Sequence, residues 1–166
     1  MRYQSQLLTD RHHLDDFSSS NPELDDWLHR HALHAAAMNT GRTFVWHVGD
    51  DHVLAYFTLA AHRVRRAHVA KRAGRGSPNE IPAVLLARLA LDQTLHGQGL
   101  GGELLWDALT RAVAAGSIAA ARLVVVHAID DAAASFYEHH GFVPSPDEPH
   151  HLVQKLGDIQ RSLGLS

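Results

Sequence analysis

A glycine-rich turn set between a strand pattern and a helix pattern constrains this chain more than any other feature. The apolar run Val84 to Leu91 precedes His96-Gly97-Gln98-Gly99-Leu100-Gly101-Gly102, and an amphipathic segment opens near Glu103. Leu104, Leu105, Ala108, Leu109, Ala112 and Val113 recur there at helical spacing as far as Ala115, before Gly116. A second run, Leu123-Val124-Val125-Val126 within Arg122 to His127, reads as a strand buried on both faces. Strand, helix and strand in that order predict a right-handed β-α-β crossover and hence an α/β fold. Three glycines within five residues, Gly97, Gly99 and Gly101, let bare backbone amides converge, with the positive end of the helix dipole behind a bound anion. Plain turn chemistry also accounts for the same glycines.

The spacing excludes two familiar phosphate sites. No Gly-Lys-Ser/Thr ending follows the turn, which argues against a P-loop ATPase. A dinucleotide fold places its turn early and an acidic residue about 20 positions later, and neither is met here. What remains is one α/β unit whose turn cradles a pyrophosphate and whose preceding strand lies beside an extended cofactor arm.

Around that unit the pattern predicts a first strand over Tyr3 to Leu8 and a helix from Asn21-Pro22, ending before Gly41, with Leu24, Trp27, Leu28 and Leu33 as its apolar stripe. Arg42 to Val48 and Val53 to Ala61 flank Gly49-Asp50-Asp51 as an antiparallel hairpin. Asp130 or Asp131 caps a short helix through His140, ended by Gly141, and His150 to Leu156 is a last strand before a helical tail. With 166 residues and no linker-like stretch, the chain is expected to form a single domain over 1–166.

The net charge of −3 argues against nucleic-acid binding, yet the charge is unevenly spread. Arg63, Arg65, Arg66, Lys71, Arg72 and Arg75 fall between His62 and Pro78 without an acidic residue, while Asp15, Asp16, Glu23, Asp25 and Asp26 gather near the N-terminus. The basic run reads as a solvated loop, or as a loop that draws a polyanionic substrate to the reaction centre. The chain has no cysteine, no signal-peptide pattern and no long apolar run, so a soluble cytoplasmic protein without membrane contact is expected. Its 15 histidines form no ligand pattern such as His-Glu-x-x-His, and no metal site is expected.

From Leu89 to Phe142 the chain resembles the GNAT superfamily of acetyl-CoA-dependent N-acetyltransferases. The resemblance rests on His96-Gly97-Gln98-Gly99-Leu100-Gly101, against a family pattern Gln/Arg-x-x-Gly-x-Gly/Ala whose first position here is histidine. It rests also on Ala133-Ala134-Ser135-Phe136-Tyr137-Glu138-His139-His140-Gly141-Phe142, against A-x-x-x-Y-x-x-x-G-F. A narrower resemblance, to the TacT-type acetyltransferase toxins, covers Ser20 to Leu28, Leu86 to Asp92, Val126 to Ala128 and Phe142 to Pro146. It implies a GNAT fold, a central mixed twisted sheet of about six to seven strands with flanking helices. It also implies acetylation of the α-amine of aminoacyl-tRNA, arrest of translation, a ribbon-helix-helix antitoxin as partner, and a homodimer.

Under the resemblance, amides from Gly97, Gln98, Gly99, Leu100, Gly101 and Gly102 bind the pyrophosphate of acetyl-CoA, and the backbone of Leu89, Ala90 and Leu91 pairs with the pantetheine arm. Asp130, Ser135 and Phe136 complete the cofactor contacts. Tyr137 is the general acid, although its other reading is a packed aromatic beside Phe136. Arg63, Arg65, Arg66, Lys71, Arg72, Arg75 and Arg88 meet the tRNA, with Arg88 either facing the substrate or salt-bridged. No carboxylate stands out as general base; Glu138, Asp92 and water stay open, and His127 either faces the cofactor or fills core. The rivals are a GNAT enzyme acting on a small-molecule amine or a protein N-terminus, and a non-catalytic CoA- or antitoxin-binding module.

Overall fold

The computed structural model describes residues 3–164. In chain order the elements are β1 (Gln6–Leu7), α1 (Pro22–Arg30), α2 (Ala32–Ala37), β2 (Arg42–Trp46), β3 (Ala55–Arg65), α3 (Lys71–Gly74), β4 (Glu80–Leu91), α4 (Leu100–Ala119), β5 (Leu123–His127), α5 (Asp131–His139), β6 (Val143–Pro144), β7 (His151–Lys155) and α6 (Leu156–Ser162). Single 3-10 turns lie at Arg66–His68 and Gln93–Leu95. The seven strands run in the order β1-β2-β3-β4-β5-β7-β6. β4 and β5 are parallel, whereas β1 with β2, β2 with β3, β5 with β7 and β6 with β7 are antiparallel, so the α/β expectation of a mixed sheet with helices is met. Among the described residues no helix is long and apolar enough to cross a membrane.

The chain divides into two compact units. One runs to Ala60 and resumes over Ala87–Ala108; the other comprises Ala61–Leu86 and the chain from Leu109 onward. In the first unit Leu8, Phe17, Leu28, Ala32, Val45, Val53, Tyr56 and Ala90 form the core, with Leu14, Leu24 and Trp27 packed against it. Asn21 caps α1 by accepting from the amides of Glu23 (3.1 Å) and Leu24 (3.4 Å), and Pro22 takes the first helical position. The single helix expected as far as Gly41 is instead broken at His31, whose backbone leaves helical geometry (φ −122°, ψ −22°). The break turns Ala32 into the core and leaves Leu33, expected in the apolar stripe, 40% exposed. The first strand is also shorter than the predicted Tyr3 to Leu8, and the hairpin strands stop at Trp46 and start at Ala55, because Gly49 (φ 96°) and Asp51 (φ 63°) take left-handed conformations.

The second unit is built on β5. Leu123, Val124, Val125 and Val126 are all buried, as the unbroken apolar run requires. β4 pairs with them in parallel from Ala83↔Leu123 to Leu86↔Val126, and β7 pairs on the other side from Leu123↔Lys155 to His127↔His151. Val69, Ala73, Ile81, Ala83, Leu123, Val125 and Val153 make this unit's core. Two of those residues overturn the reading of the basic run as a plain loop. Val69 and Ala73 anchor the segment, so Arg66 falls in a 3-10 turn and Lys71 and Arg72 in α3, while Arg63 and Arg65 continue β3 and alternate with the half-buried His62 and Val64. Only Arg75 follows outside an element.

Within the first unit, Thr43 and Thr58 face each other across β2 and β3 and share one hydrogen bond (2.8 Å) in full burial. Replacing one partner strands the other hydroxyl, which costs about 1–3 kcal/mol, whereas replacing both with isosteric apolar groups is close to neutral. Urea unfolding is therefore expected to show Thr43→Val as clearly destabilising and Thr43→Val with Thr58→Val as less so.

Candidate active site

In the first unit the polar side chains around the glycine turn hold it from behind. Asp92 accepts from the amide of Ser18 (2.9 Å), the amide of Thr94 (3.1 Å) and the hydroxyl of Thr94 (2.7 Å). The His96 ring Nε2 donates to the carbonyl of Leu91 (3.0 Å), and the Gln98 amide donates to that of Thr94 (3.2 Å). The departure from the family pattern at position 96 thus has a structural function: the imidazole closes the turn onto the end of β4. Gly97 (φ 77°) and Gly99 (φ 74°) need their left-handed backbones. α4 starts at Leu100, three residues before the expected Glu103, so Leu100, Gly101 and Gly102 lie in its first turn, where backbone N–H groups have no intrahelical acceptor. Gly97, Gln98 and Gly99 are exposed ahead of it. Such an end binds anions.

On β4, Leu89 and Leu91 are half-buried and Ala90 joins the core. Arg88 makes no ion pair among the described residues; its guanidinium lies over the Trp27 ring, 4.1 Å from the centroid. Trp27 in turn stacks on Tyr56 (6.2 Å, 15°), whose hydroxyl donates to the carbonyl of Leu24 (2.7 Å). Burial pulls the Arg88 pKa below its ordinary value, against the pull of Tyr56 and Glu23. Of the acidic residues near the N-terminus, Asp25 accepts from the Ser19 amide and hydroxyl, and Asp26 pairs with Arg30 (2.8 Å).

In the second unit, Asp130 caps α5 by accepting from the Ala133 amide (2.8 Å), which settles its position against Asp131. Tyr137 is 9% exposed and edge-on to Phe136 (5.3 Å) and Phe142 (5.5 Å). It is a packed aromatic as one reading held, but its hydroxyl makes no hydrogen bond among the described residues, and burial pushes its pKa above the ordinary phenol value. It is therefore a protonated phenol at any physiological pH. Ser135 is exposed on the same helix, Phe136 half-buried, and Glu138 exposed.

The basic residues of this unit divide. Arg66, Lys71 and Arg75 line one depression of about 500 Å³ with Gly76 and Asn79. Arg66 is partly spent there, donating to the Ser77 carbonyl (2.7 Å) and the Asn79 side chain (2.9 Å). Arg72 lines a separate hollow of about 220 Å³ beside Gly141 and Gln154. Arg63 lies 4.0 Å from Glu80, and Arg65 is exposed on β3.

Two histidine groups escaped the sequence reading because the fold, and not a spacing in the chain, brings their members together. In the first unit His12, His47 and Asp51 bring ligand-type atoms within 4.8 Å of one another. However, the Nδ1 atoms of His12 and His47 accept from the amides of Thr9 (3.0 Å) and Gly49 (2.9 Å), which leaves the protons on Nε2. A metal-bound imidazole has the opposite arrangement, its second nitrogen donating outward. In the second unit His62, His127 and His151 make ring contacts. His127 is exposed, so the core-filling reading fails.

An exposed glycine turn ahead of a helix with free first-turn amides suits an anion such as the phosphates of a CoA-type cofactor, and a protonated phenol on α5 suits a general acid. The chain belongs to the GNAT acetyltransferase family: the acetyltransferase (GNAT) domain profile matches residues 39–144. It is 37% identical over 157 residues to a tRNA-acetylating toxin of Mycobacterium tuberculosis, covering 95% of this chain and 94% of that one. Its fold matches a structure of AtaT complexed with acetyl-methionyl-tRNAfMet (TM-score 0.87, 26% identity, 96% of this chain and 98% of that one). It also matches AtaTR bound with AcCoA (TM-score 0.83, 25% identity, 97% and 98%). A mutant AtaT bound to the C-terminus of the antitoxin AtaR shares the fold (TM-score 0.83, 24% identity, 98% and 98%).

Asp92 ties the turn to pH. Burial opposes its ionisation, but hydrogen bonds from Thr94 and Ser18 outweigh that and hold the carboxyl below its ordinary value. The stabilisation is complete above the unfolded-state value of about 3.9 and is lost as pH falls through the lower folded value. Urea midpoints measured from pH 6 to pH 2.5 are expected to drop more steeply for wild type than for Asp92→Asn.

Proposed function

We propose that the protein is a toxin that transfers the acetyl group of acetyl-CoA to the α-amine of aminoacyl-tRNA and so blocks translation. The observation that carries this reading is the near full-length similarity to a tRNA-acetylating toxin in a chain that keeps both the amide-lined head of α4 and the phenol of Tyr137. Residues 1–166 act as one catalytic domain, since the family match runs through parts of both compact units.

The residues fit acetyl-CoA. Amides of Gly97, Gln98, Gly99, Leu100, Gly101 and Gly102 would take the pyrophosphate; backbone of Leu89, Ala90 and Leu91 would take the pantetheine arm. Ser135 and Phe136 on α5, whose start Asp130 fixes, would flank it. Attack by the amine gives a tetrahedral intermediate, with a β4 amide near Leu91 to hold the oxyanion. Collapse expels the CoA thiolate, which Tyr137 protonates. An α-amine with a reference pKa of about 7.7 to 8.0 is substantially neutral near physiological pH, unlike a lysine amine at about 10.4.

Arg63, Arg65, Arg66, Lys71, Arg72, Arg75 and Arg88 would meet the tRNA, the first six through phosphates, which position a substrate without specifying it. The substrate implies a cytoplasmic location. By the likeness to toxins, the partner is a ribbon-helix-helix antitoxin and the working form a homodimer. A small-molecule amine or a protein N-terminus is the other reading. Two of the three carboxylates it would draw on are engaged, Asp25 with Ser19 and Asp26 with Arg30.

Two measurements test the proposal. Mass spectrometry of an aminoacyl-tRNA pool incubated with acetyl-CoA is expected to find N-acetylated aminoacyl ends. With Tyr137→Phe the rate is expected to fall about 10²- to 10⁴-fold at unchanged acetyl-CoA affinity; equal rates would remove the acid role. For tRNA binding, log affinity against log salt is expected to slope at about −2 if only the Arg66, Lys71 and Arg75 depression engages, and about −4 if six cations do. A flat dependence refutes the phosphate contacts.

A further inference from the structure

We infer that four histidines, His12 and His13 on one segment and His47 and His52 on another, form a pH-sensitive seam that governs how firmly the glycine turn holds acetyl-CoA: protonation parts the seam and slackens the turn. The inference rests on the reading that acetyl-CoA occupies that turn, and every group it uses belongs to the first unit.

The seam joins the chain between β1 and α1 to the connection between β2 and β3. His13 bridges His52, the His13 amide donates to the Asp51 carbonyl (2.7 Å), and the Val53 amide donates to the His13 carbonyl (3.1 Å). The side chains continue the pairing: His12 meets His47 with ring centroids 5.4 Å apart, and His13 meets His52 at 4.8 Å. The inner two are withdrawn from water, His12 being 6% exposed and the His47 side chain 10%. Nδ1 of each accepts a backbone amide, from Thr9 (3.0 Å) and from Gly49 (2.9 Å). The Nε2 proton of His12 goes to Gln6 Oε1 (3.0 Å), whereas Nε2 of His47 is buried with no hydrogen-bond partner among the described residues. Both nitrogens of an imidazolium are donors, so protonating either ring deletes its amide bond.

The turn hangs from both sides of this seam. On the first segment, the Ser18 amide donates to the Asp92 carboxylate (2.9 Å) and the Ser18 carbonyl accepts from the Gln93 amide (2.7 Å). On the second, the carbonyl of Leu54, next to Val53, accepts from the Asp92 amide (2.8 Å). Asp92 and Gln93 open the 3-10 turn that leads to Gly97. Parting the seam therefore loosens both supports together.

The charges around the rings set the direction. Arg11 and Asp51 face the inner pair, 3.5 Å apart, and Asp51 Oδ1 lies 3.8 Å from His47 Nε2. Asp16 faces His52 (3.6 Å), Asp50 accepts from the His52 amide (3.1 Å), and β1 contributes only the neutral Gln6. One carboxylate already paired with Arg11 is thus left to balance two adjacent imidazoliums, and the second charge meets net repulsion. Burial is the largest cause of a His12 pKa below the ordinary value. A histidine depressed in this way stabilises the closed seam fully above the unfolded value of about 6.5, and that stabilisation is lost as pH falls below it.

Calorimetric titration of acetyl-CoA into the full chain at pH 7.5 and pH 5.5 tests the seam. Wild type is compared with a double variant, His12→Asn with His47→Asn, whose side-chain oxygens still accept a hydrogen bond but do not titrate. Both proteins keep His96 and meet the same ligand, so ionisation of the cofactor and of the turn's own histidine cancels in the comparison. Wild type is expected to lose about 10-fold in affinity at the lower pH, and the variant, equal to it at pH 7.5, to lose markedly less. Amide exchange at His13 and Val53 in wild type reads the seam directly, even where the variant does not fold: protection, corrected for the intrinsic rate, is expected to drop between the two pH values. Affinity independent of pH, a variant that weakens as much as wild type, or protection kept at pH 5.5 overturns the seam and leaves the cofactor reading standing. Wild type that fails to bind acetyl-CoA at pH 7.5 overturns the cofactor reading and the coupling with it.

Discussion

The backbone N–H groups at the head of an α-helix have no partner within the helix, and the turn before α4 is built to keep them that way. Asp92, His96 and Gln98 take the amides and carbonyls of Ser18, Leu91 and Thr94, all upstream of the glycines. The side chains that shape the turn do not consume the donors from Gly97 to Gly102. A helix of 20 residues behind them gives the dipole its full terminal charge. The cost is a chain with two left-handed glycines and a buried carboxylate, which the hydrogen bonds of Thr94 and Ser18 offset.

Much of this was legible in the sequence because periodicity carries it. The helical spacing from Leu104 to Val113 and the unbroken run Leu123 to Val126 gave α4 and β5, and with them the glycine turn and its direction. The failures have physical causes. A break at His31 changes one pair of dihedral angles and leaves the apolar spacing intact as far as Leu33, so one helix was expected where two exist. β6 is two residues long, too short to show alternation, and is fixed only by Val143↔Val153. The basic run hid Val69 and Ala73, two small apolar anchors among cations. The motif made the place of Tyr137 on a short helix legible. The His62, His127 and His151 group was not, because strand order alone brings β3, β5 and β7 residues together.

The cations illustrate how charge density in a sequence differs from charge available at a surface. Six basic residues stand close together in the chain, yet Arg66 is committed to Ser77 and Asn79, and Arg72 faces a different hollow from Lys71 and Arg75. The folded segment sorts them by what each guanidinium or ammonium group has left to donate.

Arg88 carries a different lesson. A carboxylate paired with it would have cancelled its field at short range; Glu23 acts on it without an ion pair, and the Trp27 face attracts it through the ring quadrupole without neutralising it. Half-removed from water, that charge is weakly screened, so its potential reaches farther than that of a solvated arginine and depends little on ionic strength. The stacked pair therefore works as a fixed source of positive potential whose strength the aromatic ring preserves.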